Sequence, residues 1–375
     1  MQDYVVKDGK KLRRGITTGS CASAAAKAAV VALFTGNQLE EIVVTTPKGK
    51  ELTIPVSVLK VEAGSASFFV IKDSGDDPDI TNGAEIHCLA EETSDFGVVL
   101  VGGKGIGVVT KPGLSVEVGE AAINPKPKEM IIREVSEVLP TGKGVRITVS
   151  VPLGEKLAKK TYNPRLGIIG GISILGTSGI VEPMSEEAIK DTIYLELKAK
   201  RFIGAERAVL VPGNYGESFC KKEFGIESED VVKISNYVGF ALKSCQEMGF
   251  KEVLLAGHLG KLVKVAAGIW NTHSNVSDTR MEVLTAYLAL AGMDIKYLRK
   301  VMDSITTEEA ISIIKEADSA ETRGFGEAYS NVFKTLANKA EERCRIYTHE
   351  ELRIGIVLFS MKELLAIGEI ASSMV

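Results

Sequence analysis

Three times between residues 207 and 270 the chain repeats one order: a short apolar run, a glycine- or asparagine-bearing loop, then a helix-like segment. "RAVLVPG" leads into "NYGESFCKKEFG", "DVVKIS" into "NYVGFALKSCQEMG", and "KEVLLAG" into "HLGKLVKVAAGIW". This alternation calls for parallel strands covered by helices, because each crossover must bring the chain back to the same end of the sheet. In such sheets ligands sit outside the carboxyl ends of the strands. The loops "VPGNYGE", "KISNYVG" and "LAGHLGK" therefore line the expected cleft. Gly213, Gly216, Gly257 and Gly260 either let backbone approach a ligand or simply make tight turns. Amides at the helix starts favour negative charge.

The first part of the chain reads differently. "EIVVTT", "ELTIPVSVLKVE", "ASFFVIKD", "FGVVLVGG", "IGVVTKPG" and "VRITVSVP" are strand-like and separated by Gly, Pro, Asp and Asn. "RRGITTGSCASAAAKAAV" predicts a helix from Thr18 to Phe34, capped by Thr17 or Thr18 and stopped at Gly36-Asn37. "NPKPKEMIIREVSEVL" predicts another, with Asn124 at the N-cap and Pro125 at N1. At 375 residues the chain exceeds one usual core, and composition shifts through the glycine-dense stretch around 155–180. The expectation is a mixed α+β domain over 1–160, then an α/β domain over 161–375. The second carries a largely parallel sheet and a helical extension from Asp278 to Arg345, with "RIGIVLFS" as a last strand.

A net charge of −4 offers no basic face for nucleic acid. No apolar run reaches membrane-spanning length, and the charged start "MQDYVVKDGKKLRRG" lacks a signal-peptide pattern, so a cytoplasmic protein is expected. Cys21, Cys88, Cys220, Cys245 and Cys344 include no CxxC pair, and the four histidines show no ligand spacing. No protein-bound metal is expected.

"GHLGK" lacks GxxxxGK spacing and has Leu262 where a P-loop needs Ser or Thr. "GGKGIG" is followed by more strand rather than a helix, which reads as a hairpin. His258 on the third loop and His273 in "NTHSN" are either proton carriers or hydrogen-bonded loop histidines. His87 reads as structural, and Cys21 as packing, with no histidine nearby in sequence to pair with it. Ala22, Ala25, Ala26 and Ala29 form a small-residue face behind a helix start flanked by Arg13 and Arg14.

Taken in order, "LRRGITTGSCASAAAKAA", "GGKGIGVVTKPGL", "GEAAINPKPKEMI", "NPRLGIIGGISILGTSGIVEPMS" and "VPGNYG" resemble the CbiD family, as do "LLAGHLGKLVKVAAG" and "THSN" further on. The resemblance implies methyl transfer from S-adenosylmethionine to ring carbon C1 of cobalt-precorrin-5B, giving cobalt-precorrin-6A in cobalamin biosynthesis. Cobalt would then arrive with the tetrapyrrole. The carboxylate arms of that substrate suit Arg13, Arg14, Lys104, Arg165 and Lys261, with Thr17, Thr18, Gly19 and Ser20 as a helix start meeting one arm. Gly213, Asn214, Tyr215, Gly216 and Glu217 are the expected cofactor loop, and His258 and His273 the candidates for the departing proton. "VPGNYG" supplies only GxxG, and Asn236 stands where common Rossmann methyltransferases carry a ribose-binding acid. The rival expectation is a tetrapyrrole carrier, which needs the basic cleft but no cofactor pocket.

Overall fold

The computed structural model describes residues 3–7, 9–320 and 329–375. The chain divides into two compact units, Met1–Ser185 and Glu186–Val375. The residue-160 boundary falls inside the first of these. There Ile168–Ile169 pairs with Val108–Val109, and Ile180–Val181 with Gly15–Ile16.

The first unit is built on helix α1 (Thr18–Thr35). Thr17 caps it, Oγ1 accepting from Ser20 N at 3.2 Å, and Gly36 closes it in the left-handed region at φ 73°. A five-stranded mixed sheet contains β1 (Ser57–Glu62), β2 (Ser65–Ile71), β3 (Glu85–Thr93), β4 (Gly97–Gly102) and β5 (Gly144–Ser150). Their order is β1-β2-β3-β5-β4, antiparallel except for β5 against β4. Helix α1 lies on β2 and β3 and beside α2 (Pro125–Ser136). The expected alanine face is buried, and Ala24 and Ala28 are buried too, which leaves the stripe of Lys27, Val31 and Phe34 as the partly open side of the helix. By length and composition α1 could cross a membrane, yet 72% of it is buried within the unit.

The expected hairpin through Gly102–Gly105 does not form. Strand β4 pairs with β5, while Val108–Val109 pairs with Ile168–Ile169. Between them the backbone is packed against two other segments: Val151 N donates to Lys104 O, and Ile172 N to Gly105 O. These glycines serve a crossing of backbones, not a turn between paired strands.

The second unit begins with α3 (Glu186–Phe202), followed by β6 (Arg207–Val211), α4 (Asn214–Phe224), β7 (Val231–Lys233), α5 (Val238–Glu247), β8 (Glu252–His258) and α6 (Leu259–Ala266). Helices α7 (Arg280–Leu290), α8 (Ile295–Met302), α9 (Thr307–Ala320) and α10 (Asn331–Tyr347) form the extension. Strands β9 (Arg353–Phe359) and β10 (Leu364–Ile367) complete a sheet of order β7-β6-β8-β9-β10. All its pairs are parallel except β9 with β10. The fold is thus an α+β unit followed by an α/β unit, as the strand grammar implied.

Candidate functional site

The side-chain alternation of the second sheet shows where its connections diverge. Val209, Val211, Leu254 and Ala256 pack with Cys220 of α4 on one face. Leu210, Val232 and Leu255 pack with α5, α6 and α10 on the other. The chain therefore leaves β6 toward one face and leaves the adjacent β8 toward the opposite face. This is a topological switch point, where the two loops part and open a crevice at the carboxyl ends of the strands.

The residues at that crevice are specific. Gly213 has φ 135°, and a Cβ there would meet nothing within 4 Å, so the loop borders open space. Tyr215 is exposed. Gly216 is buried against Val211, where a Cβ would lie 2.6 Å from the valine Cβ. Asn214 Oδ1 accepts from Lys233 Nζ at 3.1 Å, and Glu217 pairs with the same ammonium. Across the crevice, Lys261 Nζ donates to Pro212 O at 2.8 Å and to Ser235 O at 3.4 Å. Ser235 itself adopts φ 50°, unusual for a residue with a Cβ. Among the described residues no carboxylate pairs with Lys261. Burial, reinforced by the nearby Lys264 charge, pushes its ammonium below the usual lysine range.

Lys264, one turn on, is 3% exposed and donates to Thr272 O at 3.0 Å and Ser277 O at 2.6 Å. Burial lowers its pKa also. Thr272 N in turn donates to Asn236 O, which fastens the His273 loop to the end of β7. His273 Nδ1 accepts from Asn275 N at 3.2 Å, and its Nε2 has no bonded partner among the described residues. His258 is engaged on both ring nitrogens: Nδ1 accepts from Gly260 N at 3.1 Å, and Nε2 lies 3.0 Å from Glu308 Oε1.

The remaining expected residues belong to the first unit. Arg13 forms a two-pronged pair with Asp73, and Arg14 pairs with Asp3 and Glu182. The start of α1 is met by the 175–179 loop of its own chain. Gly19 N donates to Leu175 O at 2.9 Å, Ser20 Oγ donates to Gly179 O at 2.6 Å, and Thr18 Oγ1 accepts from Leu175 N at 2.8 Å. Lys104 is exposed and Arg165 half-buried. Burial pushes the Cys21 thiol up to about 12, which suits packing rather than nucleophilic chemistry.

Comparison with known proteins adds the relationship. The family model described as CbiD matches residues 5–183, and that for the CbiD C-terminal domain matches residues 271–367. A relative from Thermoanaerobacter sp. (strain X514), named cobalt-precorrin-5B C(1)-methyltransferase, is 50% identical over 362 residues, 96% of either chain. The chain belongs to the CbiD family. A second CbiD relative of the same name, from Alkaliphilus metalliredigens, is 47% identical over 97% of this chain and 94% of its own. A solved structure of a cobalamin biosynthesis protein from Archaeoglobus fulgidus is 32% identical, covering 74% of this chain and 87% of its own, with a TM-score of 0.40.

Three residues of this CbiD crevice escape a sequence reading. Lys264 left one trace, a charge between Val263 and Val265 in an otherwise apolar run. Lys233 is only the last residue of a strand. Glu308 lies 50 residues from the histidine it meets, and nothing local marks it.

Proposed function

We propose that this chain transfers a methyl group from S-adenosylmethionine to ring carbon C1 of cobalt-precorrin-5B, giving cobalt-precorrin-6A in cytoplasmic cobalamin biosynthesis. The observation that carries this reading is likeness over 96% of the chain to relatives bearing that activity in their name. The geometry of the second unit supports a ligand crevice of the right chemistry. A sulfonium-bearing amino acid and a polycarboxylate tetrapyrrole both present carboxylates, and Lys261 offers an ammonium with no acid partner among the described residues. Gly213 borders space into which a ligand can enter.

The donor supplies an electrophilic methyl group when bound. The chain's own work is then orientation: holding the ring carbon in line with that methyl, which contributes up to ~7–11 kcal/mol without a protein nucleophile. The 213–217 loop takes the donor, with Lys233 fixing Asn214 and Glu217. Lys261 takes a carboxylate of the tetrapyrrole. For the proton leaving the macrocycle, His273 is the better placed acceptor. Its ring can exchange tautomers at the cost of one 3.2 Å bond, whereas His258 would have to release the cap of α6.

Calorimetric titration with S-adenosylmethionine and S-adenosylhomocysteine, alone and with the tetrapyrrole present, tests the reading. Saturable binding of both is expected. Absence of binding under both conditions would overturn it and favour a tetrapyrrole carrier.

A further inference from the structure

The His258 ring is held more firmly than a loop histidine requires. Gly260 N donates to Nδ1 at 3.1 Å, so Nδ1 presents its lone pair and the neutral ring carries its proton on Nε2. That N–H points at Glu308 Oε1, 3.0 Å away. The same carboxylate oxygen accepts from Met361 N at 3.1 Å, which anchors Glu308 to the loop after β9. Phe359 meets the ring edge-on, with centroids 6.2 Å apart. Gly260 leaves no slack: a Cβ there would lie 3.2 Å from Thr307 Oγ1 and 3.3 Å from His258 Nδ1. Glu308 reaches His258 from the first turn of α9, so two elements distant in sequence converge on the cap of α6.

The residue after Gly260 is Lys261, whose ammonium rests on Pro212 O and Ser235 O at the ends of β6 and β7. We infer that Glu308 is a positioning residue: by fixing the His258 ring as the cap of α6, it holds the Lys261 ammonium at the crevice for a carboxylate of the substrate. The consequence for catalysis rests on the function proposed above. The positional claim does not, because the hydrogen bonds that carry it lie within the chain. The arrangement is that of a charged partner orienting a ring which in turn orients a binding group. Precision in such a site comes from supporting contacts of this kind.

Nitrogen-15 spectra of the His258 ring, together with the 13Cε signal of Lys261 in 13C-lysine-labelled protein, test the inference. The lysine signal is assigned with Lys261→Arg. In the unaltered protein Nδ1 resonates as an unprotonated and Nε2 as a protonated ring nitrogen. In Glu308→Ala the two ring signals average and the Lys261 signal moves toward that of solvent lysines. Glu308→Gln keeps an acceptor and retains both signatures. If Glu308→Ala does not fold, Glu308→Asp, one methylene shorter with the charge kept, decides in its place. Ring signals unchanged in Glu308→Ala, or in Glu308→Asp where it stands in, overturn the inference, as do altered ring signals with Lys261 unmoved. In turnover, Glu308→Ala should raise KM for the tetrapyrrole about tenfold or more, the worth of a charge-assisted hydrogen bond. A contact to a substrate arm remote from the reacting carbon is made equally in ground and transition states, so its loss leaves kcat nearly unchanged. Failure of the methyl-transfer reading would show instead as no turnover in the unaltered protein, with both spectral signatures still open to measurement.

Discussion

Gly105 and Gly213 show how differently two glycines of the same φ sign are constrained. Gly105 has φ 74°, and a Cβ there would lie 1.9 Å from Val151 O and 3.2 Å from Gly154 Cα. Gly213 has φ 135° with nothing in reach of a Cβ. Gly105→Ala therefore combines left-handed backbone cost with a backbone collision, together about 3 kcal/mol or more. Gly213→Ala carries only the conformational cost, about 1–3 kcal/mol. Urea unfolding should separate them, the 105 variant losing most of its midpoint and the 213 variant remaining folded. Gly213→Val in folded protein should then weaken binding of S-adenosylhomocysteine, while unchanged affinity would remove the loop from the donor site. In the sequence the two glycines look alike, since what distinguishes them is a backbone arriving from elsewhere in the chain. That is why the hairpin expectation at 102–105 failed, while helix stops such as Gly36, set by local geometry, were legible.

At the scale of elements, local chemistry again reads well and the partners of an element do not. The helix over Thr18–Thr35, its Thr17 cap and the Pro125 start of α2 follow from residues within one turn. The parallel strands of the second unit follow from repeated grammar over short distances. The segment that meets the start of α1 lies 157 residues away, and no pattern announces it. Thr18 Oγ1 both donates to Leu175 O at 3.2 Å and accepts from Leu175 N at 2.8 Å, so the hydroxyl joins the helix to that loop. Replacing it with Val removes the acceptor of a part-buried Leu175 N–H bond, costing about 1 kcal/mol. Thr17→Val removes the cap, worth about 0.5–2 kcal/mol. Chemical denaturation should show both losses, with tetrapyrrole affinity of the folded variants unchanged. Lost affinity with intact stability would instead assign this helix start to an arm of the substrate.

For the whole molecule, the acid side of the pH scale distinguishes the two units, because their depressed carboxylates differ in burial. In the first unit, the Arg13 hydrogen bonds hold Asp73 below the usual carboxylate range. Burial pushes Asp79 up, but the Lys72 ammonium and the Thr81 donors outweigh it, and the net shift is downward. Glu134 likewise is raised by burial and lowered further by Lys27, Thr45 N and Arg133. In the second unit, Arg207 and Arg353 lower Glu252 at the far end of the sheet from the crevice. A carboxylate depressed in the folded state contributes its full stability above the unfolded value, about 3.9 for Asp and 4.3 for Glu. That contribution is lost as pH falls through the folded value, so the loss begins below about pH 4. Protonating Asp79 strands Lys72, whose side chain is 2% exposed, and protonating Glu134 leaves Lys27, whose side chain is 14% exposed, with the half-exposed Glu137 as its remaining acid. The Arg207 and Arg353 side chains facing Glu252 are 41% and 49% exposed, so water takes over much of their solvation. The first unit should therefore open at higher pH than the second. The chain holds one tryptophan, Trp270, stacked on Tyr347 at 4.0 Å in the second unit, so its fluorescence reports that unit alone. In an acid titration, far-ultraviolet circular dichroism should begin to fall before the Trp270 emission shifts. Coincident curves would mean that the buried Lys72–Asp79 and Lys27–Glu134 pairs do not set the acid limit of the first unit.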